Sequence, residues 1–379
     1  MQPGSRLVDR GGGQGGGRHR LTLVLDPRFP GGTSAAVAAE IAAIAGWVRL
    51  EVCAIETAMF RGRDVHPGLR AALEANGLDL VWNPPVIRGD TVVFHNPSCL
   101  RFDTDFAPRI SCGALYVVTH ENMVRPNGSP AFDADLCLQL IERASVTGRH
   151  MLAPVSAHNR ATATAWLAGR PDLPWTLAPF DWFNIFDLPL GEPVPAPRDR
   201  RGRHSRPGLE KFPALPAMLA HFPAHAERCA ILGADTFLRA PGGVPPHWRA
   251  FRFGSMDVAR FLEEIDFFVY FTHPLWRESF GRVIAEAIAA GKLVITDPGT
   301  AAPFGGGVVA SDGSDVDALV AGFIAAPGRY ARAVRQAQAG LARFAPERFR
   351  EDVLLRITEG RAGAGVSGPA DAGVRHASL

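Results

Sequence analysis

The stretch FFVYFTHPLWRESFGRVIAEAIAAGKLVITD, residues 267–297, carries the hydrophobic pattern that decides the fold. The apolar run at its start predicts a buried strand, and GRVIAEAIAAG has the spacing of a helix that ends at Gly291. KLVITD then begins a second strand. A strand, a helix and a further strand in this order are typical of a parallel sheet covered by helices, so the stretch predicts an α/β fold.

The same alternation of strands and helices continues on both sides of this stretch. LTLVLD at 21–26 and VRLEVCAI at 48–55 predict strands that flank an alanine-rich helix at 34–47. Further strands are predicted at 91–96, 114–120, 150–156, 175–180, 228–234 and 248–254, and further helices at 132–145, 157–169, 215–224, 257–265 and 315–357. A chain of 379 residues with this pattern is long enough for two doubly wound α/β domains.

An irregular segment divides the chain into its two predicted domains. Residues 186–208 contain five prolines and a cluster of arginines, which interrupt the strand–helix pattern and indicate a linker. We predict an N-terminal Rossmann-like domain at 20–185, a linker at 186–200, a C-terminal domain at 201–345 and a C-terminal helix at 346–360. The glycine-rich residues 1–19 and the small polar residues 361–379 are predicted to be disordered tails.

Composition and charge limit the class of protein. The chain is 47% hydrophobic and 21% charged, which is typical of a soluble globular protein. It has no long apolar run free of charge and no hydrophobic core of a signal peptide, so we expect a cytoplasmic protein and leave open a peripheral membrane contact. The net charge of +2 is too small to indicate a nucleic-acid surface.

Cysteine and lysine usage adds two expectations. The five cysteines are scattered without CxxC pairs or nearby histidines, so they indicate buried thiols and neither a zinc site nor a disulfide framework. Lys211 and Lys292 are the two lysines of the chain, against 38 arginines. A lysine is therefore a signal in this sequence, because phosphate sites can use its compact point charge.

Two glutamates in the opening stretch carry the chemistry. Glu278 precedes the predicted helix and Glu286 lies within it, eight positions later. Eight helical residues span about 12 Å, so the two carboxylates cannot share a proton or a metal ion. The backbone N–H groups of Ser279, Phe280 and Gly281 lie at the helix N-terminus, which favours a phosphate. A nucleotide-diphosphate sugar has groups in the matching order: ribose diol at Glu286, phosphates, and sugar hydroxyls at Glu278.

The segment ESFGRVIAEAIAAGKLVITD resembles the E-x7-E element of retaining GT-B glycosyltransferases of the family 4 type. The resemblance covers about residues 21–355 and implies a GT-B fold, in which two doubly wound Rossmann-like domains face each other across a cleft. It implies that Glu286 binds the nucleotide ribose and that Glu278 contacts the donor sugar. The backbone around Phe280 and Gly281 is implied to contact the sugar and the diphosphate.

Two further segments of the N-terminal domain are similar to that family. PGGT places Gly31 and Gly32 after the first predicted strand, where the family has a glycine-rich turn beside the cleft. A plain strand-to-helix loop is an equally good interpretation. VVTHEN ends a strand with His120, which is similar to the family's histidine that contacts the donor sugar. His95 and Asn96 in FHNP are compatible with the acceptor side or with a buried strand end.

The segment RGRHSRPGLEKFP, residues 201–213, resembles the basic segment at the start of the family's second domain. There an arginine and a following lysine neutralise the donor diphosphate. Arg206 and Lys211 are five positions apart, as in the commoner pattern, and Arg203 after Gly202 is a competing choice. The apolar strand expected just before the segment is nearly absent, since PAPRDRR stands there, and the register stays open.

The resulting hypothesis is transfer of a sugar from a nucleotide-diphosphate sugar to an acceptor hydroxyl. The leaving diphosphate is anionic, so catalysis chiefly needs positive charge and helix N–H donors. Arg206, Lys211 and the amides near Gly281 are predicted to supply them, with no metal and no cofactor. The resemblance implies retention by same-face attack without a protein nucleophile. The predicted partners are the donor and a glycan, lipid-linked or small-molecule acceptor, and not a nucleic acid.

Two other functions remain open from the sequence. An NAD-dependent dehydrogenase also has alternating α/β halves, but no GxGxxG follows a predicted strand, and PGGT is the nearest approach. A non-catalytic GT-B subunit that binds nucleotide sugars or acts as a scaffold is compatible with the weak strand before the basic segment. The unusual segment LAPFDWFN at 177–184 points the same way.

Overall fold

The computed structural model describes residues 18–240 and 242–359. The predicted tail at 361–379, and all of the predicted tail at 1–19 except its last two residues, lie outside the described residues. The chain forms two compact units. The first reaches to Leu152 and includes Thr162–Leu177, and the second contains Ala153–Ala161 and the chain from Ala178 onward.

The first unit is a parallel sheet covered by helices. Its strands are β1 (Arg20–Leu25), β2 (Arg49–Ala54), β3 (Leu80–Trp82), β4 (Val86–His95), β5 (Arg109–Thr119), β6 (Ser145–Val146), β7 (His150–Pro154), whose last two residues belong to the second unit, and β8 (Trp175–Leu177). They are arranged in the order β3-β2-β1-β4-β5-β7-β8, with β6 beside β5. The helices are α1 (Gly32–Ile44), α2 (Pro67–Ala75), α3 (Ala134–Ala144) and α4 (Ala157–Ala168), whose first turn belongs to the second unit.

The core of the first unit follows from the apolar runs of its central strands. β1 is buried from Leu21 to Leu25, and its register places Val24 beside Cys53 and Phe94. Strands that are buried on both faces read as continuous apolar runs, which is the pattern of LTLVL and TVVF. The polar ends of these strands are therefore exceptions, and His95 and His120 lie at two of them.

The second unit has a six-stranded parallel sheet in the order β11-β10-β9-β12-β13-β14 within the described residues. Its strands are β9 (Arg200–His204), β10 (Arg228–Leu232), β11 (Trp248–Phe251), β12 (Phe267–Tyr270), β13 (Leu293–Thr296) and β14 (Val309–Ala310). The helices are α5 (Leu215–His221), α6 (Asp235–Leu238), α7 (Val258–Glu263), α8 (Arg282–Ala289), α9 (Pro298–Ala301), α10 (Val316–Ile324), α11 (Pro327–Gly340), α12 (Pro346–Phe349) and α13 (Leu355–Thr358). The order β12, α8, β13 confirms the strand, helix and strand predicted from residues 267–297.

The strand β9 occupies the centre of the second sheet although its sequence is RRGRH. The apolar strand expected before the basic segment is missing because the basic segment itself forms the strand. Arg201 is buried and donates to Asp199 and Asp317. Arg200 pairs with the fully buried Asp266 at 2.6 Å. Buried charges are tolerated only when such partners replace water, so the sheet centre depends on carboxylates distant in sequence.

Gly202 is required in the middle of β9 because the backbone is closely approached there. A Cβ at this position would lie 2.6 Å from Cγ2 of Ile265 and 3.1 Å from the carbonyl oxygen of Ala230. A glycine between buried arginines thus lets β9 fit under the chain that leads into β12.

The cysteines and the helices bear on two further expectations. All five cysteines are free thiols; Cys112 is half-buried, and the other four are buried. Across residues 18–240 and 242–359, no helix has the length and apolar character that crossing a bilayer needs.

Candidate functional site

The loop between β12 and α8 ends in a backbone conformation that requires glycine. Gly281 is the residue before the first turn of α8, and its φ of 90° lies in the left-handed region. Phe280 anchors the loop, because its ring is buried and stacks on Phe186 at a centroid distance of 5.6 Å. The N-terminus of α8 is therefore held at the carboxyl edge of the sheet, where parallel α/β sheets bind ligands.

Glu278 lies in a network of two donors. Lys211 Nζ and Tyr270 OH each donate to Oε1 of Glu278 at 2.6 Å. The side chains of Lys211 and Glu278 are 10% and 14% exposed. Burial alone would raise the pKa of Glu278, but Lys211 and Tyr270 outweigh it and the pKa is lowered. Oε2 of Glu278 accepts no hydrogen bond from the described residues, so it can accept one from a ligand.

Arg203 contacts two members of this network, Tyr270 and Lys211. Its guanidinium lies between the rings of Phe212 and Tyr270, 4.4 and 4.5 Å from their centroids. It donates to the carbonyl oxygens of Phe271, at 2.7 Å, and Lys211. Burial lowers the pKa of Arg203 to about 10, so the side chain is charged at neutral pH. The structure thus gives Arg203 backbone and aromatic partners, while a diphosphate contact by this residue stays a prediction.

Glu286 faces a different pair of side chains. Arg282, one helical turn earlier, donates to its Oε1 at 2.9 Å, and His204 Nε2 lies 3.6 Å from its Oε2. Burial raises the pKa of Glu286 in spite of Arg282. Burial and the neighbouring Arg203 lower the pKa of His204 to about 3, so this imidazole is neutral. Oε2 is therefore without a strong donor and suited to accept hydroxyl hydrogens.

Two buried hydroxyl groups near the strand ends can also form further hydrogen bonds. Ser205 directly follows β9, and Thr300 lies in α9 after β13. Their Oγ atoms have no hydrogen-bond partner among the described residues. Buried polar atoms are normally paired, so a pair of unpaired hydroxyls at the carboxyl ends of strands indicates that a ligand or water completes them.

Arg206 and Ser279 are the remaining predicted residues of the second unit. The Arg206 side chain is 39% exposed, and its Nη1 pairs with Glu210 at 2.8 Å. It lies close enough to Glu278 to help lower the pKa of that carboxyl. The carbonyl oxygen of Ser279 accepts a hydrogen bond from Ser156 Oγ. Arg206 is thus a partly exposed cation near Glu278 that pairs with Glu210, and Ser279 is held through its backbone.

The glycine turn of the first unit follows β1. Gly31 precedes α1 and has extended backbone angles. A Cβ on Gly31 would come within 2.9 Å of the Phe29 ring, whereas a Cβ on Gly32 would meet nothing within 4 Å. The requirement for glycine thus falls on Gly31 through its contact with Phe29, and a ligand contact at either residue stays a prediction.

His120 lies at the end of β5 and is paired with a second histidine. Its Nε2 lies 3.0 Å from Nδ1 of His95, which ends β4. Nε2 of His95 lies 3.6 Å from Oε2 of Glu40 on α1. Glu40 and His95 are buried, with side chains 4% and 1% exposed. Burial lowers the pKa of His120 to about 3 and that of His95 well below its ordinary value, so both imidazoles are neutral.

The first unit also contains a cavity of about 380 Å³. Thr57, Asn83, Asp103 and Phe106 are among its lining residues, and Asn83 has the positive φ of 43°. None of the site residues predicted from the sequence lines this cavity.

The structure brings Lys211 into contact with Glu278, next to Phe280 and Gly281 at the carboxyl edge of the second sheet. Glu286 lies within α8, beyond its first turn. Sequence reasoning missed Tyr270, His204 and Arg282. The Arg282–Glu286 spacing of four was available as a helical ion-pair signal. Tyr270 and His204 carried no local signal, because an aromatic or a histidine at a strand end is usually part of the core.

The two parallel-sheet α/β units match those of solved GT-B glycosyltransferase structures. HepE from Anabaena, in a crystal structure with UDP and glucose, matches 89% of this chain and 99% of its own at 15% identity and a TM-score of 0.62. Sucrose-phosphate synthase from Thermosynechococcus elongatus matches 89% and 98% at 14% identity and a TM-score of 0.54. An alpha-glucosyltransferase in complex with UDP and a 13-mer DNA matches 90% and 100% at 11% identity and a TM-score of 0.57.

No family model and no curated protein matches the chain. At these identities the structural likeness establishes the fold alone. The fold class expected from the sequence, two α/β domains of the GT-B type with parallel sheets, is confirmed.

Proposed function

We propose that this protein is a glycosyltransferase that moves a sugar from a nucleotide-diphosphate sugar to an acceptor hydroxyl, with retention and without a metal ion. The observation that carries the proposal is the cluster of Lys211, Tyr270 and Glu278 beside the N-terminus of α8. It combines a cation and helix N–H groups, which suit a diphosphate, with a carboxylate that has one unused oxygen.

Each part of the donor has a proposed partner. The diphosphate is bound by Lys211, Arg206 and the backbone N–H groups near Gly281. The sugar hydroxyls donate to Oε2 of Glu278, which Lys211 keeps ionised. The ribose diol donates to Glu286, where neutral His204 offers no competing cation.

The chemistry follows from the charge of the leaving group. Lys211, Arg206 and the α8 amides stabilise the negative charge that develops as the diphosphate departs. Such electrostatic stabilisation is usually the largest single contribution to the rate of an enzyme reaction. These cations make a metal ion unnecessary in the proposal. The acceptor hydroxyl forms its bond to the anomeric carbon on the face where the bond to the diphosphate breaks, and its proton passes to the departing phosphate oxygen, so the configuration at the anomeric carbon is retained.

The first experiment measures nucleotide binding by thermal shift. UDP and UDP-glucose are the first probes because they occur in the structures of HepE, followed by GDP, ADP and their sugars. A ligand that binds the native state at 100 times its Kd stabilises it by about 2.7 kcal/mol, enough to raise the Tm measurably. A shift with NAD, and none with any nucleotide or nucleotide sugar, would reject the proposal.

The second experiment measures turnover and its stereochemistry. Release of UDP from UDP-glucose in the presence of an acceptor panel is expected to persist in EDTA, and NMR of the product is expected to show the donor's anomeric configuration. Loss of turnover in EDTA with recovery on adding Mg²⁺ or Mn²⁺ would contradict metal independence. Nucleotide binding without turnover on any acceptor would instead favour a binding or scaffold subunit.

A further inference from the structure

We propose that Glu40 and His95 are positioning residues that keep the ring proton of His120 on Nε2, so that Nδ1 of His120 faces the substrate as a hydrogen-bond acceptor. Glu40 lies in α1, His95 ends β4, and His120 directly follows β5. They form a continuous row, with 3.0 Å between the histidines and 3.6 Å between His95 and Glu40.

The direction of the row follows from proton counting. A neutral imidazole carries one ring proton, so one nitrogen donates and the other accepts. With Glu40 ionised, as the proposal takes it, the His95 proton is favoured on Nε2, which lies 3.6 Å from Oε2 of that carboxylate. His95 therefore carries its proton on Nε2 and presents the lone pair of Nδ1 to His120. The Nε2 of His120 must then donate, which leaves its own Nδ1 without a proton.

The charge state supports this direction. The pKa of His120 is lowered to about 3 by burial, and the pKa of His95 is lowered by burial and by His120, so neither ring takes a second proton at neutral pH. Nδ1 of His120 has no hydrogen-bond partner among the described residues, and the residue is only partly buried. An acceptor nitrogen in this position suits the hydroxyl hydrogen of a sugar.

Only the kinetic test of this proposal depends on the proposed function. That His120 contacts a sugar hydroxyl rests on the proposed glycosyltransferase activity. The tautomer of His120 does not, because it is a property of the protein without any ligand. The two claims can therefore fail separately.

The direct test is the ring-nitrogen chemical shifts in long-range ¹H–¹⁵N spectra of the full chain, assigned with His120→Asn and His95→Phe. The wild-type protein is expected to show His120 with protonated Nε2 and unprotonated Nδ1. Glu40→Gln is expected to shift the tautomer populations of both histidines, and the exposed Glu74→Gln on α2 to leave them unchanged. A proton on Nδ1 of His120 in the wild type would overturn the proposal, whether or not Glu40→Gln folds.

The kinetic test uses UDP-glucose hydrolysis as the probe in a double-mutant cycle. Glu40→Gln is expected to lower kcat/KM by about 10-fold to 100-fold, the range known for partners that orient metal-binding histidines. In a His120→Asn background the same change is expected to have no effect beyond about two-fold. Equal losses in both backgrounds would mean that Glu40 acts only through stability and would overturn the positioning role. If the wild type neither hydrolyses UDP-glucose nor transfers glucose to any acceptor, the result counts against the proposed function, and the spectroscopic result alone decides the tautomer.

Discussion

Lys211 and Glu278 show how a single residue can serve both the fold and the proposed chemistry. The pair is nearly buried, and Lys211 contributes more than any other group to lowering the pKa of Glu278. Lys211 was marked by its rarity in an arginine-rich chain, and Glu278 by its spacing from Glu286. Neither signal predicted the contact between Lys211 and Glu278, because the two residues are 67 positions apart in the chain.

The first prediction concerns Lys211→Met. It removes the cation from the proposed diphosphate site and leaves the buried Glu278 without its charged partner. We expect kcat for UDP-glucose turnover to fall by about 10²-fold to 10³-fold, the range for loss of one transition-state donor. Breaking a buried pair is also expected to cost about 3 kcal/mol of unfolding free energy.

The matched control is Lys292→Met, at the other lysine of the chain. Lys292 begins the chain leading into β13 and is also buried, so its loss tests stability without touching the proposed site. Kinetics and urea unfolding at a temperature where both variants are folded separate the two effects. A loss of turnover in Lys292→Met as large as in Lys211→Met would mean that the lysine effect is not specific to the site.

The second prediction concerns the pH dependence of stability. The pKa of Glu278 is lowered from its ordinary value of 4.5 in the folded protein, so its ionised form stabilises the fold. This contribution is fully present above the unfolded pKa and is lost as the pH falls through the folded pKa. The free-energy difference between wild type and Glu278→Gln is therefore expected to shrink between pH 6 and the acid limit of urea unfolding. A difference that stays constant with pH would disagree with the lowered pKa.

The strand β9 shows at the scale of an element that a sheet centre can be built from charged residues. Its arginines are acceptable because Asp199, Asp266 and Asp317 pair with them and because aromatic rings enclose Arg203. The hydrophobic pattern cannot reveal such a strand, since two of the three carboxylates, Asp266 and Asp317, lie in other segments. The tertiary structure both buries the strand and brings its carboxylate partners to it.

The third prediction concerns Gly202→Ala in β9. The added Cβ would lie 2.6 Å from Ile265 Cγ2 and 3.1 Å from the backbone oxygen of Ala230. Overpacking of this kind typically costs about 1–3 kcal/mol, so we expect a lower urea midpoint with an unchanged slope.

Gly322→Ala is the control of opposite sign in the same unit. Gly322 lies in α10, and a Cβ there would meet nothing within 4 Å. Alanine is favoured over glycine in a helix by about 0.5–1 kcal/mol, so this variant is expected to be as stable as the wild type or more so. A Gly202→Ala variant that is as stable as Gly322→Ala would contradict the close packing at β9.

The whole molecule consists of two units with separate hydrophobic cores. One core includes Phe94 and Val117 and the other includes Phe267 and Val269. The proposed donor contacts of Lys211, Glu278 and Glu286 lie in the second unit. A nucleotide should therefore stabilise that unit first.

The fourth prediction uses hydrogen exchange to locate the nucleotide. Saturating UDP is expected to slow amide exchange in peptides covering 203–211 and 278–289, since a ligand that binds only the folded site makes local opening rarer. Lys211→Met should weaken this protection, and Lys292→Met should retain it. Protection confined to residues of the first unit would disprove the proposed donor site.

Sequence reasoning succeeded where the signal was local. The order of β12, α8 and β13 followed from hydrophobic spacing and from Gly291, while the roles assigned to Glu278 and Glu286 stay predictions. It failed at β9, whose residues carry a polar pattern, and at Tyr270, His204, Arg282 and Glu40. Each of these acquires its role from a neighbour, and Glu40 and His95 are 55 positions apart in the chain.

The sequence by itself determined the α/β alternation, because strand and helix periodicity act over a few neighbouring residues, and the resemblance of residues 278–297 to the E-x7-E element predicted the GT-B class. The tertiary structure alone decided that Lys211 and Tyr270 share one oxygen of Glu278, that a basic segment forms the centre of a sheet, and that Glu40, His95 and His120 form a row. The physical reason is that charge, burial and proton position depend on distances between atoms, and folding sets those distances between residues far apart in the chain.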